Sequence, residues 1–436
     1  MRHLTDYPFT VYSTADGAIG ERHTLRAVDF AGNPLVPSDL IPVPEGATLA
    51  MLPQRLAVGL NAYGRRDTVP ARAGWALAAL LPIGYTRTRL PGYETTPETQ
   101  PLPFFGYSAV AGWRDKLYVA ALRTDQPERW LPRSFEPQRT ARLVHERLAA
   151  EPENRVLQQH AHCALDYQCP TAINLFFRRW EGAIAVSPGC NARCVGCISK
   201  QDEEELVSPQ DRLHFVPTLD EIVAVAVAHL ERAPDAILSF GQGCEGEPLL
   251  QARLIERAIR AIRAVTSRGT LNINTNASRP RALQRLYDAG LDSLRASTIS
   301  AREETYNAYY RPLGYSLADV RQSLRLARDA GVYSSINLLC FPGLIDAEDE
   351  VEALVEFLRD TGVRLVQLRN LNIDPEVLLP RVPPPRGPAL GIPALIATLR
   401  RELPELAIGN FSRPVTRQSG AEAAVLPATP VESAAP

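Results

Sequence analysis

Between residues 180 and 370 the chain alternates short apolar runs with longer stretches whose apolar positions recur every three or four residues. The short runs predict strands: Ala183-Ile184-Ala185-Val186, Ala236-Ile237-Leu238-Ser239-Phe240, Leu271-Asn272-Ile273-Asn274, Ser293-Leu294-Arg295-Ala296-Ser297, Ser335-Ile336-Asn337-Leu338-Leu339 and Leu365-Val366-Gln367-Leu368. The longer stretches predict amphipathic helices over Leu219 to Glu231, Ala252 to Val265, Arg281 to Asp288, Leu317 to Asp329 and Glu348 to Asp360. Thr218 and Asp346 stand at starts, and Gly290, Gly331 and Gly362 just past ends. Such alternation predicts right-handed crossovers and a parallel sheet, closed or partly closed into a barrel, with its site at the strands' C-terminal ends.

Upstream the pattern is different. Thr48-Leu49-Ala50-Met51-Leu52 and Lys116-Leu117-Tyr118-Val119-Ala120-Ala121-Leu122 are short apolar runs broken by Pro and Gly, which predict a β-rich domain over residues 1–135. Gln138 to Gln159, with Leu143, Val144, Leu148 and Val156, predicts a helix within a connector over 136–179. The α/β unit then spans 180–410, and a tail over 411–436, rich in Ala, Pro and Ser, is expected to be disordered.

A chain of 436 residues, 45% of them hydrophobic, has ample core for an enzyme of this organisation. Its 47 basic and 49 acidic residues nearly balance, and Asp202-Glu203-Glu204-Glu205 is the one marked charge run, so nucleic acid is not an expected partner. The longest apolar stretch, Ala73 to Tyr85, is too short for a bilayer and contains Pro82; with no apolar signal core at the start, a cytoplasmic protein without membrane partner is expected.

Seven cysteines in a reducing compartment point to metal chemistry rather than disulfides. Cys190, Cys194 and Cys197, spaced Cys-x3-Cys-x2-Cys, follow the first strand of the alternating unit, at the predicted mouth. Three thiolates on a cubane of four irons leave one iron open, the mark of a reactive rather than structural centre. The competing readings are a zinc site completed by Cys244 or His214, and three unrelated thiols.

In spacing and position this segment resembles the signature of the radical S-adenosylmethionine (SAM) superfamily, over about Trp180 to Asn410. The resemblance implies a partial (β/α)6 TIM-like barrel carrying a [4Fe–4S] cluster. It implies reductive cleavage of SAM to methionine and a 5′-deoxyadenosyl radical, which abstracts hydrogen from a substrate, peptide or small metabolite. Flavodoxin or ferredoxin would supply the electron. One position departs: the family usually has an aromatic residue before the third cysteine, and this chain has Gly196. The adenine contact would then fall to Val195, Ile198 or backbone groups.

Further segments carry cofactor candidates. Gly243-Cys244-Glu245-Gly246-Glu247-Pro248 resembles the family's Gly-Gly-Glu-Pro segment, with Glu245 in place of the first Gly, which implies Gly246 and Glu247 near the methionine ammonium. By the same resemblance Asn276 and Ser297 approach the cofactor, with Arg295 on the face of Ser297 as a carboxylate partner. Asn276 reads equally as a helix cap and Arg295 as a partner for an internal Glu. Arg369-Asn370-Leu371-Asn372-Ile373-Asp374 are substrate candidates, and Tyr306 to Pro312 a possible substrate wall. Cys244 and Cys340, at strand ends, are candidate catalytic thiols. Cys163 and Cys169, beside His160 and His162, are either buried thiols or part of a second metal site. A metal-stabilised binding protein, with zinc or a closed cluster and no radical catalysis, is the non-enzymatic alternative.

Overall fold

The computed structural model describes residues 7–126, 128–201, 206–416 and 424–425. The acidic run at 202–205 and most of the tail expected to be disordered lie outside these residues. The start of that tail is ordered: Phe411 stacks on Trp130, with ring centroids 5.3 Å apart, and Val415 exchanges hydrogen bonds with Thr270. Among the described residues no helix is long and apolar enough to cross a membrane.

The alternating unit folds as expected into a parallel sheet, with one more strand than the sequence suggests. Its strands, labelled here β1 (Glu181–Ile184), β2 (Ile237–Phe240), β3 (Thr270–Thr275), β4 (Ser293–Thr298), β5 (Tyr333–Cys340), β6 (Leu365–Asn370) and β7 (Ala407–Gly409), lie in chain order. Strands β1 and β7 are not paired, so the sheet stays open rather than closing into a barrel. The helices Leu219–Arg232, Ala252–Val265, Pro280–Ala289, Leu317–Asp329 and Glu348–Thr361 cover it. Helix Leu219–Arg232 opens on a capping box between Thr218 and Glu221, and Gly290 and Gly362 end their helices in the left-handed conformation that glycine adopts cheaply. Asp346 is not the cap that its position suggests; Ala347 is, and the Asp346 carboxylate instead takes the Gly343 N–H at 2.6 Å. Among the described residues three further helices, Glu303–Tyr310, Pro375–Leu378 and Ile392–Glu402, appear in this unit.

The inner face of this sheet is polar, which an ordinary packed barrel would not tolerate without partners. Alternation places Glu181, Ser239, Asn272, Ser293 and Arg295 inward, and they satisfy one another. Ser239 donates to Glu181 at 2.7 Å, Asn272 to Ser239 at 3.0 Å, Ser293 to Asn272 at 2.8 Å, and Arg295 pairs with Glu181 at 3.2 Å. Burial pushes the Glu181 carboxyl up, but Arg295 and its other partners outweigh burial and hold it below its ordinary value.

Upstream, ten antiparallel strands between Phe9 and Val119 form a second sheet, and Tyr85–Arg87 pairs with Ala121–Arg123 beside it. Helices Pro137–Ala150, Arg155–Leu165 and Pro170–Phe177 lie between the two sheets in sequence. The β-rich region is bolted to the loop after β6 by two fully buried arginines. Arg55 pairs with Asp374 at 2.5 Å with both side chains at 0% exposure. Arg87 donates to the carbonyls of Phe105, Tyr107, Cys340 and Leu371.

Candidate active site

A cavity of about 640 Å³ opens at the C-terminal ends of the parallel strands. The loop after β1 supplies Cys190, Cys194 and Cys197 to its wall, and Gly246, Glu247, Asn276, Ser297 and Arg295 line it as well. The opposite contribution comes from the β-rich region through Leu80, Leu81, Pro82, Ile83 and Phe104. Nothing in the sequence signalled that second wall, because it is made by docking rather than by a local pattern.

The cysteine loop is clamped from two sides. On one side the Gly246 N–H donates to Ser187 at 2.7 Å and the Glu247 N–H to Gly189 at 2.8 Å. A Cβ on Gly246 would sit 1.9 Å from the Gly189 carbonyl, so only glycine permits this approach. Glu245, the departure from the expected glycine, ties the same loop: its Oε2 accepts the N–H groups of Val186 and Ser187, each at 2.8 Å, and its Oε1 that of Gln242 at 2.9 Å. Burial outweighs these donors and lifts the Glu245 carboxyl to about 8.

On the other side helix Glu303–Tyr310 and the turn after it pair with the loop. Val195 N–H donates to Tyr309 at 2.9 Å, Arg193 N–H to Tyr310 at 3.0 Å, Leu313 N–H to Asn191 at 2.9 Å, and Ala192 bridges Pro312. The tyrosine segment is therefore chiefly a clamp, although Tyr309 and Tyr310 also reach the cavity. Tyr309 bears on Gly196 too: a Cβ there would meet the Tyr309 hydroxyl at 2.9 Å. A side chain at position 196 would have to displace that hydroxyl, which belongs to a buried tyrosine from a distant helix.

Around the thiols, Arg212 donates to the Cys197 sulfur at 3.1 Å and to Ser199 at 3.1 Å. A guanidinium there can donate to a ligating sulfur. Sequence reasoning passed over Arg212, which has no motif around it. Burial, with the neighbouring thiols, pushes Cys190 and Cys194 above the ordinary thiol range.

Glu247 lies at the cavity, but its carboxylate is taken up internally: Oε2 accepts the Asn276 N–H at 2.8 Å, and Oε1 the Leu249 N–H at 2.9 Å and the Thr275 hydroxyl. Burial raises it to about 7. Asn276 donates to Asn191 of the cysteine loop at 2.8 Å and accepts the Ser278 N–H at 3.0 Å, but it does not cap helix Pro280–Ala289, whose N-cap is Arg279. Arg295 takes the internal partner, Glu181, and also Gln367 at 3.1 Å and Ser412 at 2.6 Å.

The two candidate catalytic thiols are not at the cavity, which corrects their placement at the mouth. Along β5 the inward residues are Asn337 and Leu339, so alternation turns Cys340 to the other face, where it is fully buried and its neighbour is Arg87. Burial pushes its thiol up to about 12. Cys244 points beneath the loop, toward Cys163, Cys169 and His160 around a void of about 20 Å³. Its hydrogen bond with Cys163 draws the Cys163 thiol down to about 7 and raises Cys244. Among the described residues no group of three or more His, Cys, Asp or Glu side chains closes on a point as a single-ion site does; the three motif thiols share the cavity wall without doing so.

The donor set fits a [4Fe–4S] cluster: three thiols on a doubly clamped loop, a guanidinium beside one of them, and a cavity above for a ligand of the remaining iron. Comparison at the level of sequence agrees. A family model described as the radical SAM superfamily matches residues 184–358. GTP 3′,8-cyclase of Pseudomonas putida (strain W619) is 30% identical over 178 residues, 41% of this chain and 49% of the relative, so the chain spans about half that protein's length. Among solved structures, the FeFe-hydrogenase maturase HydG from Carboxydothermus hydrogenoformans is 14% identical with a TM-score of 0.36, covering 62% of this chain and 68% of its own. Streptococcus suis SuiB bound to S-adenosylmethionine is 12% identical with a TM-score of 0.36, covering 58% and 56%. Residues 184–358 of this chain are a radical SAM domain, from a superfamily whose members use a [4Fe–4S] cluster and S-adenosylmethionine.

Proposed function

We propose that the whole chain is a radical SAM enzyme whose substrate occupies the cavity between the cysteine loop and the β-rich region. The observation that carries this reading is that Cys190, Cys194 and Cys197 share one cavity with Gly246, Glu247, Asn276 and Ser297, although these come from four separate strand ends. When bound, a cluster with one open iron supplies the electron that breaks the sulfonium bond of SAM, giving methionine and the 5′-deoxyadenosyl radical. The chain's own part is to hold and to shield. The two clamps fix the loop, Arg212 hydrogen-bonds the Cys197 sulfur, and the apolar wall Leu80 to Ile83 keeps water from the reacting atoms. Flavodoxin or ferredoxin is the proposed electron donor.

The zinc-stabilised alternative is less well supported, since neither proposed fourth ligand lies at the cavity. Cys244 is turned to Cys163, and His214 is exposed against Phe215. Anaerobic reconstitution followed by reductant and SAM tests the proposal. Wild-type protein is expected to release 5′-deoxyadenosine, and Cys190→Ala, Cys194→Ala and Cys197→Ala to release none. A colourless protein with stoichiometric zinc and no 5′-deoxyadenosine would contradict it.

A further inference from the structure

Arg369 is the last inward residue of β6, in register with Leu339 of β5 and one step above Gln367. It lines the cavity. Among the described residues its guanidinium forms no hydrogen bond or ion pair. The two carboxylates near enough to act on it are already engaged. Glu181 pairs with Arg295 at 3.2 Å, and Asp125 with Arg413 at 3.0 Å and the Asn410 N–H at 3.0 Å. Burial, followed by repulsion from Arg295, draws Arg369 down to about 10. A desolvated charge without a partner is costly, and proteins keep one where a ligand supplies the partner. Two other polar atoms at the same cavity lack partners and are buried, the Asn337 Oδ1 and the Gln242 Nε2.

We infer that the substrate carries an anionic group, carboxylate or phosphate, and that Arg369 receives it while the unpartnered Oδ1 of Asn337 accepts a donor from the neighbouring part. This rests on the reading of the cavity as the substrate site. The planar fork of Arg369 suits either anion in bidentate fashion. The wall from the β-rich region, Leu80 to Ile83 with Phe104, then faces the apolar remainder of the substrate.

Calorimetric titration of reconstituted protein with pyrophosphate and with succinate, each with and without SAM, tests the inference on wild type, Arg369→Gln and Arg369→Lys. One of the two anions is expected to bind wild type, and which one identifies the group as phosphate or carboxylate. Arg369→Gln should weaken that anion about tenfold or more, and Arg369→Lys by less. SAM affinity should stay within about twofold in both variants. The melting temperature of Arg369→Gln should not fall, since no internal contact is lost; an arginine with a structural role would lower it. Binding of neither anion, or binding indifferent to Arg369→Gln, overturns the inference. So does loss of SAM affinity in Arg369→Gln, which would assign Arg369 to the cofactor's own carboxylate. Wild-type protein that takes the anion but not SAM would support the anion site and contradict the radical SAM reading instead.

Discussion

The tightest constraints on the cysteine loop are two glycines with opposite reasons for being glycine. Gly246 must lack a side chain because its neighbour is backbone, the Gly189 carbonyl, which has no freedom to withdraw. Gly246→Ala is expected to cost about 1–3 kcal/mol in denaturant unfolding and to lower the iron retained after reconstitution. Gly196 instead leaves room for the Tyr309 hydroxyl. Gly196→Phe should therefore destabilise the protein, and adding Tyr309→Ala should recover part of the loss, giving a coupling of about 0.5–3 kcal/mol in a double-mutant cycle. Additive effects would show that Tyr309 does not occupy that space. The cysteine spacing was legible in the sequence because ligation by one loop is local. Tyr309 was not, since only the fold brings helix Glu303–Tyr310 to the loop.

At the scale of elements, alternation and helical periodicity gave the first six strands and five covering helices, because burial on a sheet imposes both periods. What escaped is short or irregular: β7 has three residues, two of them only partly buried, and helix Glu303–Tyr310 buries tyrosines without a clear apolar stripe. The polar interior of the sheet is stable because Glu181, Ser239, Asn272, Ser293 and Arg295 answer one another's hydrogen bonds. Element packing also sets a pH dependence. Arg155, at the start of helix Arg155–Leu165, bonds Glu221 of helix Leu219–Arg232 at 2.7 and 2.8 Å, and this partner first of all holds the Glu221 carboxyl at about 2, below its ordinary 4.5. A depressed carboxyl adds stability above its unfolded value and loses it as pH falls through the folded one. The melting temperature should accordingly fall between about pH 4.5 and pH 2 by more in wild type than in Glu221→Gln. Equal slopes would show that the pair contributes nothing.

For the molecule as a whole, the β-rich region supplies one wall of the cavity and is not an appendage. Its composition announced strands but not where they dock, because docking depends on Arg55 and Arg87 reaching acceptors near residues 340 and 371–374, a relation with no local signature. Arg55→Ala strands Asp374 as a buried charge and should cost about 3–5 kcal/mol. Asp374→Asn, which keeps an acceptor for Arg55 and the Leu102 N–H, should cost less. Equal losses would place the cost in packing rather than in charge. Electron paramagnetic resonance of the reduced, reconstituted protein tests the central claim, a three-thiolate cluster with one iron open to the cavity, most directly. The account predicts a cubane signal that shifts when S-adenosylmethionine is added and is absent in Cys194→Ala. A signal unmoved by S-adenosylmethionine, or no cluster at all, would contradict it.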